Sequence, residues 1–206
     1  MNTIRTMAIC AALTTTMVAC GPNKRVTRTS SDSTAGGDLS GYWNDIDAQQ
    51  VAKVMIESCL RHPWSSNYQS ENGGQRAVVK LAGVIKRTDD RNINTQFFSK
   101  KLEEELLNSG RVRVVAAGGQ EDINVSERSR QATHASDETA KSHQMEVGAD
   151  YTLQTIINSQ NETDGGGKSV RAYLVNMELL NVETNEKVWT KSHTIRKVID
   201  QAGTSW

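Results

Sequence analysis

Residues 149–199 constrain the fold most. Three runs of strand-forming residues follow one another there, ADYTLQTIINSQ (149–160), SVRAYLVNMELLNV (169–182) and KVWTKSHTIRKVI (187–199). The intervening NETDGGGK and ETNE are polar turns, and Gly165 to Gly167 are free to adopt positive φ. In the second run Val170, Ala172, Leu174 and Asn176 alternate with Arg171, Tyr173, Val175 and Met177, the period of a strand. Strands joined by tight turns run antiparallel, so this third of the chain predicts a meander.

The middle of the chain has a different rhythm. Asp45 to Leu60 predicts a helix with Val51, Met55 and Cys59 on one face, Val54 widening the stripe, and Asp45 or Asp47 as its cap. Pro63 ends it, and residues 61–75 read as a polar loop carrying Trp64 and Tyr68. RAVVKLAGVIKRT (76–88) reads as a central strand. A second helix is expected over Thr95 to Ser109, with Phe98, Leu102 and Leu106 on one face and Gly110 as its C-cap. RVRVVAA (111–117) is a second strand. Gln120–Thr133 and Asp137–Val147 read as two polar helices with thin apolar faces. The sum is an α/β fold: a single mixed sheet of about five strands, with a C-terminal antiparallel meander, packed against helices.

The N-terminus sets the compartment. Arg5 precedes an apolar stretch from Met7 to Val18, shorter than the roughly 20 residues that a bilayer span needs. Met17-Val18-Ala19-Cys20 then fits a bacterial lipobox, in which small side chains precede the cut and the thiol takes the lipid. We therefore expect a signal peptide over residues 1–19 and a lipidated Cys20. A fully processed Cys20 carries three acyl chains, enough for stable anchoring. Gly21 follows the cysteine, and Asp there would favour retention at the inner membrane, so the outer membrane is expected. Residues 20–41, rich in Ser, Thr and Gly, read as the lipidated cysteine and a flexible tether, and residues 42–206 as one globular domain. Fully stretched, the tether reaches about 70 Å; relaxed, it spans about 25 Å.

Charge and motifs exclude several function classes. Removing residues 1–19 takes Arg5 and no acidic residue, which leaves 23 Lys+Arg against 24 Asp+Glu. That balance supplies no basic field for nucleic acid. Cys59 is left without a partner once Cys20 is acylated and reads as a small buried thiol. His62, His134, His143 and His193 are scattered, with no HExxH, so no metal site is expected. There is no GxSxG and no Ser-x-x-Lys with Lys-Thr-Gly, and no catalytic residue is assigned. The ten aromatics do not predict a ligand pocket, because Tyr42, Trp43, Trp64, Tyr68 and Trp206 fall at termini or loops. Neither a cofactor nor a small-molecule substrate is expected. The chain reads as a binding module.

Three segments carry a family resemblance. VIKRTDDRNINTQFFSKKLEEELLNSGRVRVV (84–115), VGADYTLQTII and MELLNVETNEKVWTKSH resemble the LpoB-type lipoproteins, activators of penicillin-binding proteins. The similarity covers about residues 45–198. The chain departs from that pattern with Asn94 where Asp is usual and Asn185 where Gly is usual. Thr95 reads as a helix N-cap, a role open equally to Asn94, and Trp189 as a sheet residue packed on a helix. The resemblance implies an outer-membrane-anchored periplasmic regulator, not an enzyme. Such a protein binds a bifunctional class A penicillin-binding protein and raises its glycosyltransferase and transpeptidase rates. The alternative is a lipoprotein of the same fold scaffolding another envelope assembly or secretion complex. The loop after the central strand is the expected partner surface, through Arg87, Asp89, Asp90, Arg91 and Asn92, whose charges suit orientation and on-rate.

Overall fold

The structure, a computed structural model, describes residues 41–115, 119–136, 138–141, 146–163 and 168–200. Cys20, the tether up to residue 40, Gly165–Gly167, His143 and Trp206 lie outside the described residues.

Nine elements follow in the order α1 (Asp45–Arg61), α2 (Trp64–Glu71), β1 (Val78–Arg87), α3 (Thr95–Asn108), β2 (Arg113–Val115), α4 (Gly119–His134), β3 (Tyr151–Thr163), β4 (Lys168–Asn181) and β5 (Lys187–Asp200). They build one five-stranded mixed sheet of order β2-β1-β3-β4-β5. β1 runs parallel to both β2 and β3. β3, β4 and β5 form the antiparallel meander read from their alternation.

The period-two pattern sorts side chains to the two faces. Leu153, Thr155 and Ile157 of β3 stand opposite Leu179, Met177 and Val175 of β4, and all six are buried. Val51 and Met55 of α1 and Phe98, Leu102 and Leu106 of α3 close over them as one apolar core. Helix α1 packs on α3 and β5, and α3 packs on β1 and β2. Both helices therefore cover the same face.

Local chemistry fixes the element ends. Asn44, not Asp45 or Asp47, caps α1: its side chain accepts from Asp47 N–H at 3.0 Å, and the Asp47 carboxylate accepts from Asn44 N–H at 2.9 Å. This reciprocal box satisfies two of the N–H groups that a helix start leaves free. Asn94 caps α3 by accepting from Phe97 N–H at 3.0 Å, so Thr95 is the first helical residue. Gly110 follows α3 at φ +62°, as a C-terminal glycine should. β1 carries a bulge between Leu81 and Val84, where Gly83 takes φ +87°.

The structure corrects four expectations. The loop at 61–75 contains α2. Pro63 ends α1 but also supplies a helix-compatible φ of −61° from which α2 starts. Trp64 is buried, and its indole N–H donates at 2.7 Å to the Cys59 carbonyl, which also accepts the His62 N–H at the end of α1. Trp43 is likewise a core residue, 4% exposed; Trp64 and Trp43 both leave the set of terminal or loop aromatics. The helix expected over 137–147 is absent from its described part, where residues 138–141 and 146–147 are turn and irregular chain. The strand expected over 111–117 is described only as Arg113–Val115.

Candidate partner interface

Asp150 and Tyr151, part of the motif that carried the resemblance, hold the sheet together. The Asp150 carboxylate accepts from Val78 N–H at 2.7 Å, and Asp150 N–H donates to the Val78 carbonyl at 2.9 Å. Tyr151 packs edge-to-face with Trp64 and Tyr68. Trp189, on β5, is buried in the core. None of these residues presents a surface.

The loop of residues 88–92 leaves the end of β1 and leads into α3. Two local turns shape it. Asp90 N–H donates to Thr88 Oγ1 at 3.1 Å, and Asn92 N–H donates to Asp90 Oδ1 at 2.8 Å. Lys86 Nζ donates to the Asp90 carbonyl at 3.1 Å, and the Thr88 hydroxyl bonds to that of Ser159.

Asp90 itself is 2% exposed. This corrects its reading as one of the charges that the loop offers to a partner. Its Oδ2 accepts from Trp43 N–H at 3.1 Å and from the Tyr173 hydroxyl. Trp43 N–H also donates to the Tyr173 oxygen at 3.0 Å, and the Trp43 ring packs edge-to-face on both Tyr173 and Phe98. Burial alone would raise the Asp90 pKa, but the Tyr173 hydroxyl and the N–H groups of Asn92 and Trp43 hold it below the usual carboxylate value. Tyr173 moves the other way: burial and the neighbouring carboxylate push its hydroxyl well above the ordinary tyrosine range.

The remaining predicted residues stay outside. Arg87, Asp89, Arg91 and Asn92 are exposed. Asp89, Arg91 and Asn92 line a shallow cavity of about 350 Å³ together with Tyr42, Asp90 and Arg171. The Arg171 guanidinium lies 4.2 Å from the Tyr42 ring centre, and its Nε donates to Asn161 Oδ1 at 2.7 Å. Lys197 Nζ donates to the Tyr42 carbonyl at 2.9 Å and pairs with Asp47 at 2.6 Å. The loop is thus a rigid charged rim beside the point where residues 41–44 join the domain.

Cys59 is buried and free, and burial pushes its thiol pKa up to about 12 against a smaller opposing hydrogen bond from Trp64. Among the described residues no group of three His, Cys, Asp or Glu side chains could hold a metal ion, and no helix is long and apolar enough to cross a membrane.

The family model described as the peptidoglycan-synthase activator LpoB matches residues 47–195, from the α1 cap through the loop to β5. The chain belongs to the LpoB family. Its family is therefore one of synthase activators, proteins that regulate an enzyme. Among solved structures, it is similar to the LpoB C-terminal domain from Escherichia coli, with 18% identity over 72% of this chain and 98% of that one, at a TM-score of 0.42. The LpoB C-terminal domain from Salmonella enterica matches with 20% identity over 66% and 94% of the two chains, at a TM-score of 0.37. Lipoprotein GNA1162 from Neisseria meningitidis matches with 17% identity over 62% and 88%, at a TM-score of 0.39. A search of curated proteins gives no match.

Proposed function

We propose that this chain is an outer-membrane lipoprotein on the periplasmic face that binds a bifunctional class A penicillin-binding protein and activates it. The family match over residues 47–195 carries the reading. In this reading residues 1–19 are a signal peptide, Cys20 is the acylated anchor, residues 20–41 are the tether, and residues 42–206 are the binding domain. Arg87, Asp89, Arg91 and Asn92 contribute to the contact. They stand on a loop already fixed by the buried Asp90, so little conformational entropy is lost when a partner orders them. The regulator does no chemistry. It raises the synthase rate by binding the active state of the enzyme more tightly than the resting state.

The tether favours one second reading. A reach of about 70 Å at full stretch is short for crossing to an inner-membrane enzyme, which suits a lipoprotein scaffolding another envelope assembly.

Glycan polymerisation by a purified class A synthase from the same cells, with and without the detergent-solubilised full chain, separates the two. Acceleration that saturates with added protein supports activation. The absence of both binding and acceleration refutes it. Metabolic labelling with an acyl-chain analogue tests the anchor: Cys20→Ser should lose the label and leave the membrane fraction.

A further inference from the structure

Helices α1 and α3 cover one face of the sheet. On the opposite face, among the described residues, α4 meets the sheet at the β1–β2 end, where Glu121 pairs with Lys80. Across β1, β3, β4 and β5 the register sets Ile85 beside Ile156, Asn176 and Ser192 in one row, and Arg87 beside Asn158, Leu174 and Thr194 in the next. Arg196 follows one row on, beside Ala172, and Val198 beside Val170. These positions alternate with the buried Ile157, Tyr173 and Val175, so all of them point away from the helices. An apolar diagonal therefore runs from Ile85 through Ile156 and Leu174 to Val198, and no described helix covers it. Ile85 is 48% exposed, Leu174 41% and Val198 71%.

We propose that this bare face, centred on Ile85, Ile156 and Leu174 and flanked by Arg87 and Arg196, docks a partner protein whose facing surface is apolar at its centre and carries carboxylates at its rim. The inference rests on the activator reading for the identity of the partner and deepens it by naming the surface and its chemistry.

Charge decides what covers the face. Several of its other polar groups are engaged within the chain. Asn176 donates to Ser192 at 3.0 Å, Glu178 pairs with Lys187 at 2.8 Å, and Glu162 accepts from Gln160 at 3.3 Å. Arg87 and Arg196 are exposed and form no ion pair among the described residues. A second copy laid face to face would bring the same two arginines against one carboxylate, Glu162, without a cation among the described residues, so the face is not self-complementary in charge. A partner with acidic rim residues satisfies both arginines and gains orientation and association rate from them, while the aliphatic diagonal supplies the desolvated centre. Arg87 also begins the loop of Asp89, Arg91 and Asn92, so face and loop form one continuous surface.

The test titrates a class A synthase from the same cells with the detergent-solubilised full chain and three variants: Leu174→Glu, Arg196→Glu, and Lys53→Glu on the exposed side of α1. Leu174→Glu and Arg196→Glu should each weaken binding by about tenfold or more, with Lys53→Glu unchanged. Arg196 is fully on the surface of the last strand, so its variant holds the test if Leu174→Glu lowers the melting temperature. Binding by both face variants equal to wild type overturns the inference and leaves the activator reading standing. A wild-type dimer in sedimentation that Leu174→Glu abolishes also overturns it, because the face would then belong to a second copy. Failure of the wild type to bind the synthase refutes the activator reading, and the inference falls with it.

Discussion

Asp90→Ala removes the acceptor for three donors, and their fates differ. The Asn92 N–H sits on an exposed residue and takes water instead. The Trp43 N–H keeps the Tyr173 oxygen at 3.0 Å. The Tyr173 hydroxyl proton, on a ring with no exposure, loses its acceptor. An orphaned buried donor costs about 1–3 kcal/mol, and hydrogen bonds to a charged group contribute about 1.5–3 kcal/mol each, so a net loss of about 3 kcal/mol is expected. For a domain of this size each kcal/mol moves the melting temperature by about 2–4 °C, which gives a fall of about 6–12 °C. Tyr173→Phe should cost about 1–2 kcal/mol, and the double variant should fall short of the sum by about 1–2 kcal/mol, because the two residues share one bond. Thermal and urea unfolding by circular dichroism measure all three. A loss under about 0.5 kcal/mol for Asp90→Ala, or strict additivity in the cycle, refutes the pin. The acid limb gives a second readout. Because the folded pKa of Asp90 lies below its ordinary value, its contribution is complete above the unfolded value of about 3.9 and is lost as pH falls through the folded one. Asp90→Asn should therefore flatten the stability profile below about pH 4.

Three further outcomes are expected. Cys59, with its thiol pushed up to about 12, should resist iodoacetamide at pH 8 in the native protein and react once the chain is unfolded in guanidinium, as mass spectrometry would register. Asn94→Ala should cost about 1 kcal/mol by loss of the α3 cap while Thr95→Ala costs a few tenths, and the reverse order in urea titrations would return the cap to Thr95. Asn185 sits at φ +60° in the β4–β5 turn, so Asn185→Gly should raise stability slightly and Asn185→Val should lower it by about 1–2 kcal/mol in thermal unfolding.

The meander was legible because two-residue alternation is a local signal, and the face that each β4 residue takes follows from it. The same turn explains one departure from the family pattern. Where Gly is usual, Asn185 takes the left-handed conformation that asparagine tolerates. Helix α2 was not legible, because Pro63 reads as a stop and only the tertiary contacts of Trp64 show it to be also a start. Trp43 reads from the sequence as a terminal aromatic outside the core, since its partners Asp90 and Tyr173 lie 47 and 130 residues away. Asp90 was hidden among Arg87, Asp89 and Arg91. One local signal could have singled it out: Thr88, Asp90 and Asn92 carry the two-residue spacing of successive side-chain turns, which marks Asp90 as the turning acceptor. The bare face was encoded in Ile85, Ile156 and Leu174, but its exposure depends on which side the helices choose, and composition does not fix that.

The fastening of residues 42–44 determines how the domain bears a load. A pull applied through residue 41 meets Lys197 at the Tyr42 carbonyl, Arg171 on the Tyr42 ring, and Asp90 with Tyr173 at the Trp43 amide. These contacts lie close together and share the strain in parallel, at β4, β5 and the loop. The force reaches the sheet without passing through β2 or α4. A pull through residue 41 therefore loads the support of residues 88–92 together with β4 and β5, so the rim and the sheet feel it at once.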